Sequence, residues 1–176
     1  MKSVLISVKP KWCEKITSGK KTIEVRKSAP KEVPFKAYIY ETKGATETPW
    51  VDEDGHYIYK GKGQVIGEFI CDKVYNLVNA FGGIMFADEN LNQLEPQLFR
   101  DMSCLTDEQT ADYLGDKDGY GWHISDLKIY DNPKELSEFK YFIDGRGYEY
   151  DESDCGCNGL KPITRPPQSY MFVEEA

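Results

Sequence analysis

The sequence predicts an α+β chain, mainly β, folded as a small barrel or strongly coiled sheet with helices at its periphery. Three observations carry this. Val-, Ile- and Tyr-rich segments of strand length recur along the 176 residues, giving five or six strands. Only two or three stretches have helical spacing and caps, and they do not alternate regularly with the strands, so an open βαβ sheet fits worse. The length suits one domain with a real core, so 1–176 is read as a single unit with additions at about 43–63 and 141–161.

Residues 3–8 (Ser-Val-Leu-Ile-Ser-Val) alternate weakly and form the first strand. Pro10 suits a first helical turn, Trp12 and Ile16 share a face, and Gly19 suits a C-terminal stop, so a helix spans about 10–18. Lys21 to Arg26 alternate as a strand, with Ile23 and Val25 on one face and Thr22, Glu24 and Arg26 on the other. Pro30 and Pro34 mark a loop before a third strand at about 36–42. Within 43–63, Trp50-Val51 and His56 to Tyr59 flank Asp52-Glu53-Asp54-Gly55 as a hairpin. A long strand follows at about 64–74, in which Gly67 marks a bulge. Residues 77–103 resist assignment. Thr106-Asp107-Glu108 opens a helix that ends near Gly115. Tyr120 to Tyr130 reads as one strand, Pro133–Phe139 as a short helical turn, and 141–161 as a Gly/Asp/Tyr-rich surface loop. Arg165 to Val173 closes the chain as a strand with prolines at its entrance.

Charge is divided unevenly. Residues 1–43 carry eleven Lys/Arg against four Asp/Glu, whereas the rest carries eleven against twenty-six, for a net charge of −8. Gripping an extended DNA duplex needs a broad basic face, which this balance argues against. A local anion site on an acidic body remains, against the plainer reading of solvated lysines. No apolar run is long enough for a membrane span. The opening Met1 to Val8 reads as a strand rather than a signal peptide, because Lys9 and Lys11 interrupt it. Five cysteines at scattered spacing argue against a disulfide scaffold and for a reducing, cytoplasmic setting.

The densest signal is Gly19-Lys20-Lys21-Thr22-Ile23-Glu24-Val25-Arg26. It resembles the Gly-x-Lys-x-x-Glu-x-Arg signature of the ASCH family. The start (Ser7 to Trp12, Ile16, Gly19 to Lys21), the segment Tyr120 to Leu127 and the end Arg165 to Ser169 are similar to ASCH-type proteins common in phage and prophage genomes. The resemblance implies a PUA-like small β-barrel with peripheral helices. It also implies a cleft beside the first helix that takes RNA or a modified nucleoside or nucleotide. One branch of the family removes the acetyl group from N4-acetylcytidine, keeping the lysine and arginine but using a threonine where this chain has Glu24. Other members are ribonucleases or nucleic-acid-binding accessory domains, and a protein-interaction module is a further alternative.

Chemistry gives each residue two readings. Glu24 and Arg26 leave one strand face about 6.5–7 Å apart. They either form a surface ion pair or present an acceptor and a planar fork to a base edge or phosphate. Lys21 lies on the opposite face by strict alternation, yet sits at a junction where alternation fails; bent toward Glu24, it makes an acid/base pair. As an enzyme the chain would use Lys21 and Glu24; as a binder it would use Lys9, Lys21, Glu24, Arg26, Trp122 and His123. Trp122 is either a stacking surface or barrel core, and His123 either a ligand contact or a satisfied core histidine. Trp12, Tyr38 and Tyr40 are further aromatics near the cleft elements. Cys155-Gly156-Cys157 lacks a second ligand pair for zinc, and no phosphate loop, dinucleotide fingerprint, nucleophile elbow or zincin helix is present. The sequence therefore asks for no metal and no cofactor, and leaves the oligomeric state open.

Overall fold

The computed structural model describes residues 1–44, 50–51, 55, 57–58, 61–80, 83–142 and 159–175. In chain order its elements are β1 (Ser3–Val8), α1 (Pro10–Thr17), β2 (Ile23–Arg26), β3 (Phe35–Glu41), β4 (Trp50–Val51), β5 (Tyr57–Ile58), β6 (Val65–Cys71), β7 (Val74–Ala80), β8 (Gly83–Ala87), α2 (Pro96–Ser103), α3 (Asp107–Leu114), β9 (Gly119–His123), β10 (Ser125–Lys134), a 3-10 turn (Leu136–Glu138), β11 (Phe139–Phe142), β12 (Leu160–Pro162), β13 (Tyr170–Phe172) and β14 (Glu174–Glu175). The architecture is α+β and mainly β.

Two sheets dominate. A five-stranded sheet runs β10-β6-β3-β1-β13, with β1 and β3 parallel and its other neighbours antiparallel. A four-stranded antiparallel sheet runs β2-β9-β7-β8, and β12-β11-β14 forms a third, smaller one. Among the described residues the ladders end at β10, β13, β2 and β8, without closing into a continuous barrel. The chain passes between the two main sheets at two neighbouring corners, Asp72-Lys73 and Ile124. There His123 N–H donates to Lys73 O (2.9 Å) and Ile124 N–H to Thr22 O (2.8 Å).

Strand alternation sorts the side chains into layers. Val4, Ile6, Ile39 and Phe69 meet Trp122 and Ile16 of α1 between the two main sheets. On the other face of the larger sheet, Leu5, Tyr38 and Tyr40 pack on Phe139, Ile163 and Val173. On the outer face of the four-stranded sheet, Ile23, Val25, Leu77 and Phe86 are covered by Phe99 of α2 and Leu114 of α3. β2 is therefore buried on both faces, which is what makes its polar residues unusual.

Several expectations need correction. The segment 64–74 is not one strand: β6 ends at Cys71 and the chain turns into β7. Tyr120 to Tyr130 is split at Ile124, where β9 leaves one sheet and β10 joins the other. The unassigned stretch 77–103 holds most of β7, β8 and α2, and the closing segment joins a ladder with β1 only at Tyr170–Phe172. The region 141–161 includes the end of β11 and the start of β12; residues 143–158, with Cys155 and Cys157, lie outside the described residues. Strand number was underestimated because short strands such as β12 and β14 have no periodicity of their own. Most of the 43–63 turn also lies outside the described residues, but β4 and β5 do pair antiparallel.

Candidate functional site

The site begins where α1 ends. Gly19 adopts φ +73°, a left-handed turn that suits glycine, and this turn lets Lys21 N–H return to Lys15 O (2.9 Å). Thr22 N–H then donates to Met102 O (2.8 Å), tying the entrance of β2 to the end of α2. This path carries the Lys21 side chain to the same side as Glu24, against strict alternation.

Three charged side chains converge between the sheets. Lys21 Nζ lies 3.5 Å from Glu24 Oε2 and donates to Ser103 O at 2.8 Å. Arg26 Nη2 lies 2.9 Å from Glu24 Oε1 and donates to Ser7 O at 2.7 Å, while Nη1 donates to Ser169 O at 3.4 Å. All three residues are buried, at 2, 6 and 5 % exposure for Lys21, Glu24 and Arg26. Burial pushes Lys21 below the usual lysine range, outweighing the pull of Glu24 toward the charged form. Such a cluster is costly to desolvate and holds only because each charge has a partner. The surface ion pair of the plainer reading is therefore replaced by a buried triad.

The remaining predicted residues fall into place around it unevenly. Lys9 is exposed at the N-terminal cap of α1, its carbonyl accepting from Trp12 and Cys13 N–H. Trp122, paired across the ladder with Glu24, is fully enclosed, edge-on to Phe35 (4.9 Å) and Tyr170 (5.5 Å). It offers no open ring face, so its stacking role is corrected to a place in the core. The partly exposed aromatic at the cluster is Trp12, whose ring centre lies 5.3 Å from Lys21 Nζ, 5.0 Å from Lys11 and 5.8 Å from Lys15. Tyr38 and Tyr40 face away, in the core under β11.

His123 points to the opposite face of β9 from Trp122 and belongs to a different group. Its Nδ1 lies 2.7 Å from Asp72 Oδ1, with Tyr75 edge-on at 6.5 Å. Burial raises the Asp72 carboxyl, but its hydrogen bond with His123 and others outweigh that and hold it below the usual aspartate value. Cys13 is sealed beneath the site with its thiol on Val8 O (3.7 Å), and burial drives its pKa well up, so it is no nucleophile. Among the described residues, no group of three or more His, Cys, Asp or Glu is placed to hold a metal ion. No helix among them is long and apolar enough to cross a membrane.

Sequence reasoning did not find the acceptors that complete the triad, Ser7 O, Ser103 O and Ser169 O, because a backbone carbonyl leaves no mark on residue identity. The one available signal was the segment Arg165 to Ser169. It lies against the site, with Ser7 Oγ donating to Pro167 O (2.7 Å) and Ser28 Oγ 3.2 Å from Ser169 Oγ.

The chain matches no protein-family model and no curated protein sequence. Solved structures do resemble it. The ASCH protein of Zymomonas mobilis is 19 % identical with a TM-score of 0.55, the match covering 98 % of this chain and 87 % of that one. A tyrosine-to-phenylalanine mutant of the Zymomonas protein is 17 % identical with a TM-score of 0.55, covering 99 % and 91 %. A serine-to-alanine mutant is 16 % identical with a TM-score of 0.54, covering 98 % and 88 %. At these identities the likeness is one of architecture, and on that ground this chain has the fold of the ASCH-domain proteins.

Proposed function

We propose that this chain is a phage-type ASCH unit of PUA-like, barrel-related architecture, 1–176 forming one domain, that works in the cytoplasm. It binds RNA or a modified nucleoside or nucleotide beside α1. The observation that carries the reading is the Lys21–Glu24–Arg26 triad, three charges buried together beside a lysine-ringed tryptophan. A purely structural role is a poor use of such a cluster, since apolar residues of similar size stabilise as well or better. In this reading Lys21 and Arg26 hold acceptors of the ligand, Glu24 takes a base amino group, and Trp12 stands where Trp122 was expected to stack. Lys9, exposed at the start of α1, offers a phosphate contact, and His123 serves a separate surface.

Amide hydrolysis on a modified nucleoside is the second reading, favoured by the closeness of the Lys21 amine to the Glu24 carboxylate, 3.5 Å. Glu24 takes a proton from water, the hydroxide oxygen bonds to the amide carbon, and Lys21 stabilises the oxyanion. The proton then passes to the leaving nitrogen as the C–N bond breaks, giving acid and amine. Both readings are tested with N4-acetylcytidine. Under the first, it raises the melting temperature without turnover. Under the second, the wild type cleaves it and Lys21→Ala and Glu24→Ala do not. If mass spectrometry finds no nucleoside or RNA on the purified protein and no nucleoside shifts its melting, both readings fail and an interaction module is favoured.

A further inference from the structure

The triad's side chains are held by one another and by backbone carbonyls. Both Glu24 oxygens face cations, Lys21 has its carbonyl acceptor, and the two Arg26 Nη nitrogens are taken by Glu24, Ser7 and Ser169. Among the described residues, two buried side-chain nitrogens have no partner, Arg26 Nε and Trp122 Nε1. Both belong to the same face of the same sheet. Trp122 is the direct cross-strand partner of Glu24, and Arg26 lies two residues further along β2. Buried donors without acceptors are rare, because an unmade hydrogen bond retains its full desolvation cost. Arg26 and Trp122 are diagonal neighbours across the β2–β9 ladder, close enough for one acceptor to serve both.

We infer that the ligand of this site presents a neutral carbonyl oxygen, which accepts from Arg26 Nε–H and Trp122 Nε1–H. The inference rests on the nucleoside-binding reading above and narrows it. Two donors match the two lone pairs of one carbonyl oxygen. A phosphate group, with three or more acceptor oxygens and a charge of its own, would leave most of its hydrogen bonds unmade against two buried donors. Pyrimidine carbonyls and the acyl oxygen of an acylated base fit; a bare phosphate does not. Trp122 thus recognises the ligand with the edge of its ring rather than the face. The segment 165–169 borders the site, held to it through Arg26, Ser7 and Ser28 and followed at once by Tyr170, which packs on the Trp122 ring.

The test is a titration of 15N-labelled protein, watched at the indole N–H of Trp122 and the Nε–H of Arg26, with uridine, N4-acetylcytidine and inorganic phosphate as separate probes. The Trp122 signal is assigned by its loss in Trp122→Phe. A saturable shift of both signals with a carbonyl-bearing nucleoside, and none with phosphate, is expected. Trp122→Phe, which keeps an aromatic ring and removes the donor, should bind about tenfold more weakly. Should that variant not fold, Arg26→Lys serves, keeping the charge and removing the Nε–H. If a nucleoside binds and perturbs Lys21 but leaves both signals unmoved, or if the indole N–H remains in contact with water at saturation, the carbonyl assignment is overturned while nucleoside binding stands. If no nucleoside binds, both fall together.

Discussion

Glu24 is the hinge of the charge arrangement, since among the described residues it alone pairs with both Lys21 and Arg26 from a buried position. Replacing it with glutamine preserves volume but leaves two cations without their counter-charge. Glu24→Gln is therefore expected to lose about 3–5 kcal/mol of stability, measured by urea unfolding. A loss under about 1 kcal/mol would show that the triad is hydrated in solution. Cys71 illustrates the opposite case: burial pushes its thiol up to about 12, and it donates to Lys73 O (3.2 Å), so it serves the corner between the sheets rather than any chemistry.

Among the elements, β6 is an inner strand, paired with β3 on one side and β10 on the other. The register slips just past Gly67, where Tyr40 pairs with Val65 rather than Ile66, so the extra residue of a bulge lies on β6. A Cβ at Gly67 would lie 2.5 Å from Lys128 O, a backbone atom that cannot step aside. Gly67→Ala should accordingly lose roughly 1–3 kcal/mol, read as a lower urea midpoint. The β6–β10 contact also has a signature in acid. Burial raises Glu68, yet hydrogen bonds from Tyr130 (2.5 Å) and Lys36 (3.3 Å) outweigh it and hold the carboxyl below its ordinary 4.5. The native state thus binds the proton less well than the unfolded chain. Its contribution is fully present above pH 4.5 and is lost as pH falls through the depressed native value. Tyr130→Phe removes the strongest of those bonds, so the stability gap between wild type and variant should narrow as pH drops below 4.5. A gap that stays constant across that range would show that Tyr130 does not hold the Glu68 charge.

The whole molecule is an acidic body with its basic residues concentrated in the first quarter, and under the proposed reading that charge layout sets the salt dependence of RNA binding. Because the triad is buried, only the handful of lysines around Trp12 would neutralise phosphates under that reading. Affinity for a short single-stranded RNA should fall only gently with salt, with a log–log slope shallower than about −2. A slope near −6 would mean that an extended phosphate track, not a single recognised unit, drives association. The C-terminal segment acts at this scale too: it spans from Ile163 in one core to Tyr170 against Trp122 in another, so it joins layers that are distant in sequence.

From residue order alone, the first strand, the first helix with its glycine stop, the capped helix after Thr106 and the Glu24–Arg26 face were all legible. Each depends on local spacing and capping, which the chain displays wherever it is placed. The Gly67 bulge was legible for the same reason, since an isolated glycine in a strand marks close backbone approach. Tertiary structure alone decided that β9 and β10 part at Ile124, that Trp122 is enclosed while Trp12 is not, and that His123 turns to Asp72. It also decided that the triad is completed by the carbonyls of Ser7, Ser103 and Ser169. Those outcomes depend on which distant segments arrive at the same place, and burial and backbone acceptors are properties of that arrangement rather than of any residue's own side chain.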